Sequence, residues 1–109
     1  MAELAQQKCT PCQGGVDPLT EQEATNMLAQ TPEWSLIENA TKIRREFKFQ
    51  NFVEALEFTN NIGEIAEQEG HHPDLELGWG YVNVTVQTHK IGGLHENDFI
   101  YASKVDAVA

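Results

Sequence analysis

Between Asn51 and Gly70 the chain carries an apolar stripe at helical spacing, Phe52, Ala55, Leu56, Thr59, Ile62, Ile65 and Ala66, long enough for about five turns. On either side lie segments whose apolar residues recur at every second position, the mark of a half-buried strand. A chain holding both periods must lay helices on a sheet, so the stripe and its flanks restrict the fold class before any other residue is considered. Asn51 with Glu54 three places on is a start signal, and Gly70 is a stop, because glycine accepts the left-handed conformation just past a helix.

Upstream, residues 34–37 and 41–49 read as two strands around a Glu38-Asn39-Ala40 turn, with Ile43, Phe47 and Phe49 on one parity. Arg45 shares that parity, which puts it at a sheet edge or marks a slipped register. Downstream, Leu75, Leu77 and Trp79 fall on odd positions and Val82, Val84 and Val86 on even ones. The parity break at Gly80-Tyr81 is what a tight hairpin produces. A first helix starts at Thr20, with Glu23 as its capping-box partner and Leu19 and Ala24 as a staple, and runs to about Gln30 before Pro32. After Gly92-Gly93, a last helix spans about 95–105 with Asp98 in its first turn, where the helix dipole favours a carboxylate. The order α-β-β-α-β-β-α predicts a two-layer α+β domain: a four-stranded, mainly antiparallel sheet with helices packed on one face. Residues 1–17 are expected to form a flexible leader ahead of a domain at 18–109.

At 109 residues the chain supports one modest core, with room for a small ligand but not for a large internal cavity. Seventeen Asp and Glu against seven Lys and Arg give a formal net charge of −10, which disfavours nucleic acid as a partner. The clustered bases Lys42, Arg44 and Arg45 read as solvated strand positions. No apolar run approaches the ~20 residues of a membrane helix, and the N-terminus lacks the order of a signal peptide, so a soluble, cytoplasmic protein is expected. Cys9 and Cys12 form a Cys-x-x-Cys pair with neither a βαβ unit nor a second cysteine pair around it, and are expected to be incidental or locally structural.

The chemical signal is the run Glu67-Gln68-Glu69-Gly70-His71-His72-Pro73, followed by Trp79, His89 and Asp98. Histidine exchanges protons near neutral pH, so three of them near one another suggest an acid/base site. His71 and His72 sit on the loop leaving the long helix, held by Pro73. His89 ends a strand whose hairpin partner begins just after that loop, which brings a third imidazole within reach. Glu67 and Asp98 could each orient an imidazole and set which nitrogen carries its proton, or could be helix-end charges. Trp79 could stack on a flat ring or belong to the core. His95 falls at a helix N-cap and is given no chemistry. Zinc on three imidazoles would also activate an oxygen nucleophile, but ligating histidines more often lie at i, i+4 on a helix than side by side, so no metal is expected.

These residues resemble the motif of the pterin-4a-carbinolamine dehydratases. Glu67, His71, His72, Pro73, Trp79, His89 and Asp98 fill every position of that motif at permitted spacing. The resemblance covers roughly residues 17–105, including the Trp34 strand and the Phe47-Lys48-Phe49-Gln50-Asn51-Phe52 stretch; Asn97 departs from similar animal members, which carry a basic residue there. It implies the same α-β-β-α-β-β-α arrangement and a reaction without cofactor or metal. Water would be removed from a 4a-hydroxytetrahydropterin, the product of aromatic amino acid hydroxylases, to give the quinonoid dihydropterin in tetrahydrobiopterin recycling. It further implies His71 and His89 as the acid/base pair and His72 as the residue that holds the pterin and assists proton transfer. Glu67, Pro73 and Asp98 would orient, Trp79 would line the site, and the chain would form a homodimer or homotetramer. Two rival classes remain at this point. One is a non-catalytic assembly module, since members of the family serve as dimerisation cofactors of a homeodomain transcription factor or assist Rubisco assembly; the other is a metallohydrolase.

Overall fold

In the computed structural model, which describes residues 6, 7 and 17–109, the chain runs α1 (Glu21–Leu28), β1 (Ser35–Ile37), β2 (Lys42–Lys48), α2 (Phe52–Glu69), β3 (Asp74–Gly78), β4 (Tyr81–Val86) and α3 (Glu96–Ala107). Cys9 and Cys12 lie outside the described residues. The four strands form one sheet in the order β1-β2-β4-β3, with every neighbouring pair antiparallel. The element order and the α+β class agree with the expectation from periodicity.

Local signals set the helix ends. Thr20 accepts from the Glu23 N–H while the Glu23 carboxylate accepts from the Thr20 N–H, closing the capping box that starts α1. The Asn51 side chain accepts from the Glu54 N–H, and Gly70 ends α2 in the left-handed conformation at φ 64°.

Register builds the core. Ile43 faces Val86, Phe47 faces Val82, and Leu75 and Leu77 face Val84 and Val82, so these residues share the helix-covered face of the sheet. Onto them pack Ala55, Phe58, Ile62 and Ala66 of α2 and Phe99, Ile100, Tyr101, Ala102 and Val105 of α3. The Phe58 ring lies 4.7 Å from that of Phe47 and 5.1 Å from that of Phe49, within the range where aromatic pairs gain beyond simple burial.

The α2 stripe is narrower and rotated relative to the expected one. Its buried line is Ala55-Phe58-Ile62-Ala66, whereas Phe52 and Leu56 are 42% and 40% exposed. At about 100° per residue, Phe52 and Leu56 sit roughly 75° and 115° from the centre of that line, so they belong to a neighbouring arc. Phe58, absent from the expected stripe, is the residue that reaches the strand aromatics.

Two strand boundaries also move. The hairpin turn is Trp79-Gly80, one residue earlier than the parity break suggested, so Trp79 is a turn residue and not the last residue of β3. Gly80 takes φ +77°, and a Cβ there would stand 3.1 Å from the Phe49 carbonyl, whose own N–H donates to Gly80. Strand β4 stops at Val86, and His89 opens a short 3-10 turn, His89–Ile91. The parity of Val86 therefore does not carry through to His89.

Arg45 is in register, opposite Val84 on the helix-covered face, and it stands where β2 becomes locally an edge, since pairing with β1 ends at Arg44. Its guanidinium sits 4.3 Å from the Phe47 ring and donates to Asp106 of α3 at 2.7 Å. The Trp34 indole N–H donates to the same carboxylate at 2.9 Å. The charge is thus met from the helix layer, which alternation within a strand cannot reveal. Lys42 and Arg44 fall on the uncovered face, as expected of solvated positions.

Removing Asp106 leaves a partly buried guanidinium and an indole N–H without their acceptor. Asp106→Ala is therefore expected to lower unfolding free energy by about 2 kcal/mol in urea titration. Arg45→Met combined with Asp106→Leu should lose less than Asp106→Ala alone, because no charge is then stranded. The turn before β2 offers the opposite change. Glu38, Asn39 and Ala40 all hold positive φ, 52°, 58° and 61°, a conformation that L-residues pay for. Ala40→Gly should raise stability by about 0.5–1 kcal/mol in the same titration.

Candidate active site

The end of α2 fixes the first imidazole. The Gly70 and His71 N–H groups both donate to the Ala66 carbonyl, so His71 leaves the helix at a set angle and turns inward. It is 8% exposed, its ring stands edge-on to Tyr101 at 6.4 Å, and its Nε2–H donates to Asp98 Oδ1 at 2.5 Å. Tyr101 is itself held by its hydroxyl, which donates to the Ile62 carbonyl at 2.8 Å.

Asp98 is fully buried. A carboxylate out of water must have its lone pairs met by donors, and here the other oxygen, Oδ2, accepts from Thr88 Oγ1 and from the His95 N–H, each at 2.9 Å. The His95 contact makes Asp98 the third residue of a capping box at the start of α3, where the aligned peptide dipoles favour negative charge. The two sequence alternatives for Asp98, helix cap and histidine partner, are thus both occupied, one by each oxygen. His95 is the N-cap, its Nδ1 accepting from the Asn97 N–H at 3.0 Å.

The other two imidazoles stand in solvent, each beside its own carboxylate. His72 Nε2 pairs with Glu67 Oε2, one helical turn back on α2. His89 Nε2 lies 3.2 Å from the Gln87 side-chain nitrogen and 3.9 Å from Asp74 Oδ2. Asp74 follows Pro73 directly, so His89 closes on the loop that carries His71 and His72. His71, His72, His89, Glu67, Pro73 and Asp98 are thereby brought to one end of α2.

Trp79 is not brought there. It caps the far end of the β3–β4 hairpin, 71% exposed, and five residues at about 3.3 Å each put it roughly 17 Å along the strand from Asp74. A cavity of ≈ 220 Å³ lined by Phe49, Glu54, Glu57, Phe58, Asn61, Val108 and Ala109 lies near the start of α2 and includes none of the histidines. Among the described residues no three His, Cys, Asp or Glu side chains gather to hold a metal ion.

Hydrogen bonding assigns the ring nitrogens. A neutral imidazole has one N–H and one lone pair, so giving Nε2–H to a carboxylate leaves the lone pair on Nδ1 in His71 and His72. In His89, Nε2 faces both the Gln87 side-chain amide and the Asp74 carboxylate, so a neutral ring carries its one N–H on either nitrogen and the imidazolium carries one on each. The site therefore offers bare acceptor nitrogens and a donor N–H at once, the minimum for moving one proton on and another off a small ligand.

Sequence reasoning missed Asp74, Thr88 and Tyr101. Tyr101 carried a signal, since it is three residues after Asp98 and so shares its helix face. Asp74 and Thr88 are chain neighbours of motif residues, but only folding reveals which side chain they meet.

The matching family model, pterin 4 alpha carbinolamine dehydratase, covers residues 17–108. A protein of Methylococcus capsulatus, provisionally named pterin-4-alpha-carbinolamine dehydratase, is 58% identical over 106 residues, spanning 97% of this chain and 93% of its own. A similarly named protein of Halorhodospira halophila is 59% identical over 105 residues, 96% of each chain. The crystal structure of a transcriptional coactivator/pterin dehydratase from Brucella melitensis superposes with a TM-score of 0.80 at 33% identity, over 85% of this chain and 99% of that one. A pterin dehydratase-like protein identified as a RuBisCO assembly factor in the alpha-carboxysome shares the fold, with a TM-score of 0.62 at 24% identity over 71% of this chain and 89% of that one. Near-full-length identity of this order, on a chain whose histidines and carboxylates pair as described, means that the protein belongs to the pterin 4 alpha carbinolamine dehydratase family.

Proposed function

We propose that this protein removes water from 4a-hydroxytetrahydropterins by histidine general acid/base catalysis. The observation that carries the reading is the buried His71–Asp98 bond, which leaves His71 Nδ1 as a fixed acceptor on the loop that also carries His72 and on which His89 closes. In the reaction neutral His71 takes the N5 proton of the pterin on Nδ1, while His89, entering the cycle as an imidazolium beside the Asp74 carboxylate, gives one ring proton to the 4a-hydroxyl and becomes neutral. The C4a–O bond breaks, water leaves, and the N5–C4a double bond of the quinonoid dihydropterin forms, with no change of oxidation state. His72, held by Glu67, and Pro73 contact the pterin at the solvent side, and Asp98 orients His71. Trp79 enters this scheme only through a second subunit that brings its hairpin tip to the histidines.

The substrate assigns the protein to tetrahydrobiopterin recycling beside an aromatic amino acid hydroxylase, in the cytoplasm. Among the described residues no helix is long and apolar enough to cross a membrane, which is compatible with that location. A homodimer or homotetramer is part of the proposal, and the exposed Phe52, Val53 and Leu56 of α2 are apolar surface that assembly would cover.

Turnover of enzymatically generated 4a-hydroxytetrahydropterin, followed by absorbance, tests the reading. His71→Ala and His89→Ala are each expected to reduce kcat by about 10²- to 10⁴-fold, and the double variant should lose little more than the worse single one, because the two act as a unit. Wild-type turnover by the double variant would refute the assignment. Activity should survive exhaustive chelation, since each imidazole is paired with its own carboxylate; loss on chelation with recovery on zinc would move the site to the metallohydrolase class. An inert wild-type chain that captures one partner from its host would favour the assembly module.

A further inference from the structure

We propose that Thr88 is a positioning residue that locks His89 in place relative to His71. Its side chain and its backbone do different work. The Oγ1–H donates to Asp98 Oδ2 at 2.9 Å, the same carboxylate whose other oxygen holds His71. The Thr88 N–H donates to the Gly93 carbonyl at 2.9 Å, and the Thr88 carbonyl accepts from the Ile91 N–H at 3.2 Å, closing the turn that His89 opens. Thr88 is 3% exposed, and His89, the next residue, is in solvent.

One buried residue thus connects the fixed imidazole to the exposed one through Asp98. Without the hydroxyl, the 3-10 turn keeps its backbone bonds, but its tether to the α3 cap and to His71 is gone. Asp98 would retain His71 on Oδ1 and the His95 N–H on Oδ2 but lose the donor that ties it to the turn, which loosens its hold on the His71 ring. Serine keeps the tether; valine, nearly the same size, removes it. Residues that orient metal ligands from behind govern activity by roughly 10- to 100-fold although they touch no substrate, and an effect of that size is expected for this tether.

The kinetic arm rests on the dehydratase reading, so a second arm needs no substrate. Hydrogen exchange of the ligand-free protein, followed by NMR, is expected to show the His71 Nε2 proton and the Ile91 and Gly92 amides exchanging roughly 10- to 100-fold faster in Thr88→Val. The β4 amides should keep their wild-type rates, which a general loss of stability would not allow. Thr88→Ser should match wild type throughout. In turnover, Thr88→Val should lower kcat roughly 10- to 100-fold with KM little changed, and Thr88→Ser should restore it. If Thr88→Val does not fold, Thr88→Ala is read in the same way. Unchanged exchange at His71 and the turn in the hydroxyl-free variant, or a Thr88→Ser protein as impaired as Thr88→Val, would overturn the proposal. A wild-type chain without turnover would end the dehydratase reading instead and leave the exchange arm to decide the role of Thr88.

Discussion

The fold and the site share one carboxylate. Asp98 closes the capping box of α3 with one oxygen and holds His71 with the other, so the start of α3, the end of α2 and the segment after β4 meet at a single buried charge. A charge at this depth is tolerable only while its donors stay in place, and each donor comes from a different part of the chain. The orientation of His71 is therefore not a local property of its loop. It follows from the docking of α3 against α2, which Tyr101 reinforces by packing on His71 and donating to the Ile62 carbonyl.

Helix α3 carries a second carboxylate near its other end, where the electrostatic sense reverses. The peptide dipoles favour Asp98 at the N-terminus and disfavour Asp106 at the C-terminus. The sheet layer compensates: Arg45 and the Trp34 indole both donate to Asp106, and Arg45 can do so only because it faces the helices instead of solvent. The helix is thus pinned at both ends by polar bonds to other elements, while Phe99, Tyr101, Ala102 and Val105 fill the space between. Such bonds add directionality to a core that apolar packing alone would specify less tightly, and they fix the rotation of α3 that aims Asp98 at His71.

Most of the architecture was legible because it depends on short-range patterns. The caps at Thr20 and Asn51, the stop at Gly70 and the alternation of Val82, Val84 and Val86 each act within a few residues and appear where expected. The features that escaped depend on contacts between layers. Arg45 read as an edge residue or a slipped register because its partner lies 61 residues away. The rotation of the α2 stripe follows from Phe58 meeting Phe47 and Phe49, which no helical wheel of α2 contains. Trp79 followed the odd parity of its strand but was displaced into the turn by the glycine after it. Within the site, the residue types were readable and their pairing was not: Asp98 showed both of its possible roles, and the Thr88 link between two histidines has no counterpart in spacing.

Under the proposed mechanism, the unequal exposure of the three imidazoles fits what a dehydration demands of its catalyst. One proton leaves N5 and another arrives at the departing hydroxyl, so a turnover leaves the base protonated and the acid without its proton. The pair must reset before the next cycle, and reset requires contact with water or with a neighbouring proton carrier. Burial gives His71 a fixed angle and a defined lone pair but restricts its access to solvent. Exposure gives His72 and His89 rapid proton exchange at the cost of conformational freedom, which Glu67, Asp74 and the Thr88 turn restrain. A site of three buried histidines would reset slowly, and a site of three exposed ones would hold no fixed geometry. One buried imidazole flanked by two tethered, solvent-facing ones satisfies both requirements.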